Sequence, residues 1–158
     1  MKSDYDLTVF FYNPNIHPVE EYLKRKAEVV KVCEEWGVKM IDHDYDVEKW
    51  KQSVEGFEQE REGGARCAQC FSMRLSESAR YADEHGFDIF ATSLSSGRNK
   101  KALLINGIAE RHAKDYNLEY LSGDWKKGGR QEKSRQMVDD RDIYRQDYCG
   151  CMYSSRDI

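Results

Sequence analysis

Leu7-Thr8-Val9-Phe10-Phe11-Tyr12, followed at once by Asn13-Pro14-Asn15-Ile16-His17-Pro18, is the stretch that decides the fold. Its first half is β-rich and nearly all apolar, the pattern of a strand covered on both faces. Its second half holds both prolines of the chain and ends the strand in a stiff turn. In α/β proteins the loop beyond a strand's C-terminal end is a common place for a site. Asn13, Asn15 and His17 are therefore candidate substrate-binding residues. The plainer alternative is that they satisfy the turn and cap the next helix.

Downstream the pattern turns helical from about Val19 to Trp36, with Leu23, Ala27 and Val30 in one row and Tyr22, Val29, Cys33 and Trp36 extending it. Cys33 on that stripe reads as a buried, inert thiol, and Gly37 stops the helix. Val38–Ile41 is a short strand. The acidic run from Asp42 to Asp46, with His43 inside it, is either a hard-metal cluster or a loop leading to a short helix through Trp50. Residues 55–66 read as a solvated loop. A helix then carries Phe71, Leu75, Ala79 and Ala82 on one face and ends at His85-Gly86. Asp88–Thr92 is a strand, and Ser93–Lys101 a loop of hydroxyls and cations before a helix at about 100–115. Leu118–Leu121 is the last strand, followed by a basic glycine loop, Gly123–Arg130, and a helix at about 131–140. Strands alternating with helices predict a single α/β domain over 1–158, a mostly parallel sheet with helices on both faces.

Four of the five cysteines come in two tight couples, Cys67-Ala68-Gln69-Cys70 and Cys149-Gly150-Cys151. The chain has no signal-peptide core and no apolar run that spans a bilayer, so it reads as cytoplasmic, where such couples are metal ligands or redox groups rather than disulfides. Four thiolates suit zinc or a [4Fe–4S] cluster. The couple at Cys67 opens a helix, where the dipole favours negative charge. Arg74 lies on the same side, four residues beyond Cys70. Charge is uneven: residues 1–97 carry 12 basic and 19 acidic groups, residues 98–158 carry 13 and 10. Arg98, Lys100, Lys101, Lys126, Lys127 and Arg130 are candidate anion-binding residues, against the alternative of ordinary solvated charge.

Phe11–Pro18, Arg66-Cys67-x-x-Cys70-Phe71-x-x-Arg74-Leu75 and Tyr148-Cys149-Gly150-Cys151-x-Tyr153-Ser154 resemble, in this order, the QueH family of epoxyqueuosine reductases. Asp124–Gly129 resembles a tract of the same family. The resemblance implies an oxidoreductase that reduces the epoxide of epoxyqueuosine at the tRNA wobble position. It implies a nucleotide α-hydrolase-like fold, a [4Fe–4S] cluster beside a mononuclear iron, an electron donor protein, and Cys67, Cys70, Cys149 and Cys151 as metal ligands converging on one site. In that chemistry Arg74 would stabilise a developing alkoxide, and Tyr148 or Tyr153 would supply a proton; the alternative is that the tyrosines brace the thiolates. Members of the family begin with a further strand and a vicinal Cys-Cys pair, whereas residues 1–6 here hold no cysteine. The sequence as written thus predicts a missing first strand, association through the resulting sheet gap, and impaired turnover. The competing class is a non-catalytic module with structural zinc on the same cysteines.

Overall fold

The computed structural model describes residues 4–97 and 99–154. The chain is α/β: five α-helices alternate with short strands, and every strand pair among the described residues is parallel. It divides into two compact units. One comprises the residues up to Lys49 together with the segment from Ile143 onward; the other is Trp50–Asp142.

In the first unit, β1 (Thr8–Phe11) pairs in parallel with β2 (Lys39–Asp42), Thr8 opposite Lys39 and Phe11 opposite Asp42. β1 is only half-buried until Phe11, short of the coverage on both faces that its sequence predicts, because among the described residues it has one neighbouring strand. α1 (Val19–Trp36) has Glu20 and Glu21 in its first turn, where they complement the helix dipole. It ends at Gly37, whose φ of 61° lets its N–H reach back to Cys33 and Glu34. The buried stripe of α1 keeps Tyr22 and Cys33 of the expected pattern but replaces the Leu23–Ala27 row with Arg25. Tyr22, Arg25 and Cys33 are buried, whereas Leu23 is 53% exposed. An arginine occupies the inward position because its polar partners lie inside this unit.

Phe11, Ile16 and Tyr22 form the core here, with Val29, Met40 and Tyr45 against them. Tyr22 stacks on Tyr45 at 3.8 Å. His43 packs its ring on Phe10 and Tyr12, and Asp46 accepts the Lys49 N–H at 2.9 Å. The acidic run is therefore a loop that caps α2 (Val47–Ser53). Cys33 borders an open apolar cavity of about 250 Å³ lined by Leu7, Val9, Val32 and Trp36; burial pushes its thiol up.

The second unit is built on α3 (Ala65–Glu84) and α4 (Ala102–Asp115). Phe71, Leu75, Ala79 and Ala82 of α3 pack with Ile105, Ile108, Ala109 and Ala113 of α4 over Phe90. β3 (Ile89–Phe90) pairs in parallel with β4 (Glu119–Tyr120). The ladder continues past both ends, Glu119 N–H to Asp88 C=O at 3.1 Å and Leu121 N–H to Phe90 C=O at 3.0 Å. α5 (Arg130–Asp140) buries no side chain. The stretch 55–66 is largely exposed, as its sequence predicts, and is folded into turns; its last residue, Arg66, already in α3, is 2% exposed and donates to the carbonyls of Glu58 and Glu60.

Candidate functional site

Cys67 and Cys70 belong to the second unit and occupy the first turns of α3, both buried. A helix puts residues three apart on one face, so the couple is displayed by regular backbone. Cys67 Sγ accepts the Gly63 N–H at 3.1 Å, and Cys70 Sγ accepts the indole N–H of the fully buried Trp50 at 3.3 Å. Arg74 sits half-buried one turn on, its carbonyl holding the Ser78 hydroxyl at 2.9 Å.

The basic loops of this unit meet the same end of α3. Lys100 Nζ lies 5.3 Å from the ring of Phe71, the neighbour of Cys70, and 3.8 Å from Glu62. Lys126 Nζ donates to the Lys100 carbonyl at 2.5 Å, which joins the two loops. Ser95 and Asn106 both donate to Gly123 C=O, and the Trp125 indole donates to Thr92 C=O at 2.8 Å. Lys101 is exposed at the N-cap of α4, Lys127 is exposed beside Asp124, and Arg130 lies over the Trp125 ring at 5.6 Å. Arg98 lies outside the described residues.

Cys149 and Cys151 belong to the first unit and sit on irregular backbone. Cys149 Sγ accepts the Cys151 N–H at 3.4 Å and lies 3.1 Å from Ser154 Oγ, whose own hydroxyl donates to Cys151 C=O. This arm is tied to the Asn13–Pro18 loop. His17 N–H donates to Gly150 C=O at 2.7 Å, and the Tyr148 hydroxyl donates to His17 C=O. Burial raises the Tyr148 phenol above its usual range, with Glu21 adding to the effect and Arg25 opposing it. Tyr153 is half-buried in the closing turn. Asn13 C=O accepts the Ile16 N–H, and His17 Nδ1 lies 3.0 Å from Asn15 C=O, so these residues satisfy the turn. Asn15 is 5% exposed, and its Oδ1 is buried without a hydrogen-bond partner among the described residues.

The donor set suits a soft metal or an iron–sulfur group. The sulfurs of Cys67, Cys70 and Cys149 take N–H hydrogen bonds of the kind that surround cluster thiolates. Among the described residues, neither unit by itself gathers three or more His, Cys, Asp or Glu side chains into a group that could hold a metal ion.

A family model described as "Epoxyqueuosine reductase QueH" matches residues 1–157. The chain belongs to the QueH family. It is 44% identical to the epoxyqueuosine reductase QueH of Histophilus somni, over 98% of this chain and 64% of that protein. It is 42% identical to the Acinetobacter baylyi protein of the same name, over 98% and 72%, and 40% identical to that of Haemophilus influenzae, over 99% and 64%. The chain thus spans about two thirds of the length of these relatives.

Three residues of this QueH chain escape a reading by motif. Arg25 donates to the carbonyls of Cys149 at 3.0 Å and Tyr148 at 2.9 Å. Glu21 takes the Arg25 Nε–H at 2.7 Å and the Tyr144 hydroxyl at 3.1 Å. Trp50 reaches Cys70. The i,i+4 Glu21–Arg25 pair was the one available signal, and by itself it is the mark of an ordinary helix surface.

Proposed function

We propose that the protein reduces the epoxide of epoxyqueuosine in tRNA to queuosine. The observation that carries this reading is the alignment of nearly the whole chain with proteins named for that activity. Support within the molecule comes from the N–H bonds to the sulfurs of Cys67, Cys70 and Cys149 and from a basic loop pair beside the first couple.

Conversion of an epoxide to an alkene and water consumes two electrons and two protons. We assign Cys67, Cys70, Cys149 and Cys151 as thiolate donors to a [4Fe–4S] group, in preference to zinc. When bound, that group supplies single electrons, and an adjacent iron would supply Lewis acidity. The protein's own residues do the rest. Arg74, on the helix face of Cys70, offers positive charge to the oxygen as its C–O bond breaks. Tyr148 is protonated near neutral pH, as an ordinary phenol with a pKa of about 10 is, and burial raises it further. Its proton is held at Oη against His17 C=O, which makes the residue a brace for the loop as well as a proton source. Tyr153 is the second hydroxyl on the same arm. Lys100, Lys101, Lys126, Lys127 and Arg130 take the tRNA backbone, so binding weakens steeply as salt rises. The substrate places the protein in the cytoplasm, with an electron donor protein as partner.

The test is anaerobic incubation of the iron-reconstituted protein with epoxyqueuosine-containing tRNA and a chemical reductant, with nucleosides read by mass spectrometry. Queuosine appears if the reading holds. A brown, cluster-loaded protein that binds this tRNA and leaves the epoxide intact refutes it. A colourless protein that retains zinc favours the structural module.

A further inference from the structure

We infer that Arg25 is the positioning residue of the C-terminal cysteine couple, an assignment that rests on the proposed role of Cys149 and Cys151 as thiolate donors. The arm carrying them has no regular secondary structure to set its backbone. Its direction is set instead from α1. The Arg25 guanidinium is a rigid fork, and its Nη1 and Nη2 hold the consecutive carbonyls of Cys149 and Tyr148 at 3.0 and 2.9 Å. Two fixed acceptors on adjacent residues leave the peptide between them little freedom to rotate. The fork is itself aimed: Glu21 takes Nε–H at 2.7 Å, and the same carboxylate accepts the Tyr144 hydroxyl five residues before Cys149. Arg25 is 9% exposed, so these bonds face little competition from water. Gly150 closes the contact. Its φ is 103°, and a Cβ there would lie 2.9 Å from Ile16 and 3.0 Å from Arg25 Nη1. The glycine of Cys-Gly-Cys is thereby explained as the residue that lets the backbone approach the guanidinium. Lysine would keep the charge but has no fork to span two carbonyls.

The experiment follows alkylation of each cysteine by iodoacetamide, resolved by peptide mass spectrometry, in the reduced, metal-free full chain. It compares the parent with Arg25→Met, Arg25→Lys and Glu21→Gln. Loss of the charge-assisted bonds in Arg25→Met speeds labelling of Cys149 and Cys151 by about tenfold or more, while Cys67, Cys70 and Cys33 stay within about twofold of the parent. Arg25→Lys recovers part of the protection and Glu21→Gln gives a smaller, similarly confined acceleration. A positive charge alone would instead make the lysine variant equal to the parent, which overturns the fork. Unchanged labelling of Cys149 and Cys151 in Arg25→Met also overturns the assignment. So does acceleration spread equally over all the cysteines in both Arg25→Met and Glu21→Gln, which would mean general loss of fold. The readout needs no metal or turnover. Confined acceleration in a protein that takes up no iron would sink the cofactor reading and leave the placement by Arg25 standing.

Discussion

The two cysteine couples are held by opposite means. Cys67 and Cys70 ride on α3, a 20-residue helix whose buried face packs Phe71, Leu75, Ala79 and Ala82 in one core with Cys67, in an uninterrupted segment of chain. Cys149 and Cys151 ride on an irregular arm whose position comes from hydrogen bonds to His17, Glu21 and Arg25. The first couple is placed by apolar burial and helix periodicity, which tolerate small adjustments. The second is placed by directional bonds to a few named groups. Such bonds are worth less individually but fail abruptly when one partner is lost and the other stays buried.

The largest effect tests the apolar side. Leu75 is 3% exposed in the α3–α4 core, so Leu75→Ala should cost about 2–5 kcal/mol in urea unfolding. It should also open Cys67 and Cys70 to alkylation. A loss well below that range would mean that helix packing is not what holds the first couple. Next in size is Gly150→Ala. A positive φ and a Cβ that meets Ile16 and the guanidinium predict a loss of roughly 1–3 kcal/mol, with labelling raised at Cys149 and Cys151. A silent substitution would show that the arm accommodates more freely than a directional clasp allows.

Much of the α3 side was legible in the sequence. The spacing of Phe71, Leu75, Ala79 and Ala82 marks a face, and all four are buried. Helix α1 runs over the predicted Val19–Trp36 and stops at Gly37, because a 3.6-residue period and a left-handed glycine are local signals. The arm was legible only as a motif. What places it is Arg25, which lies more than 120 residues from its acceptors, and a charged side chain carries no periodic signature of burial. For the same reason the Leu23–Ala27–Val30 row predicted on α1 lies off the inward stripe, whereas Tyr22, Val29 and Cys33 of the same prediction lie on it. Lys100 and Lys126 were picked out as separate cationic loops, yet their joining depends on a backbone carbonyl, which has no letter in the sequence.

Two smaller effects sharpen the contrast. Trp50→Phe keeps an aromatic ring in place but removes the indole N–H from Cys70 together with part of a fully buried ring system. It should cost about 1–2 kcal/mol by denaturant, less than Leu75→Ala. A loss as large as that of Leu75→Ala would make Trp50, rather than the α3–α4 packing, the main support of the first couple. The smallest expected effect is acidic. His112 lies 3.0 Å from the Ser72 hydroxyl, across the α3–α4 contact, and burial lowers its pKa while Asp115 opposes the shift. The unfolded chain therefore takes up the proton first as pH falls below the ordinary value of about 6.5. Stability is unaffected above that pH and declines below it, until the folded-state imidazole also titrates. His112→Gln should flatten melting temperature between about pH 7 and pH 5 relative to the parent; an unchanged slope would remove this residue from the acid response.

The first unit is also discontinuous along the chain, since its two parts are separated by residues 50–142. A ribosome making about 5–20 residues per second needs about 5–20 s to cross that gap. Throughout that time α1 has been synthesised, but the carbonyls that satisfy Arg25 have not. Synthesis therefore delivers the helix-borne couple first and the Cys149–Cys151 couple last. A nascent chain halted before Ile143 would carry the Arg25 guanidinium without the Tyr148 and Cys149 carbonyls that hold it.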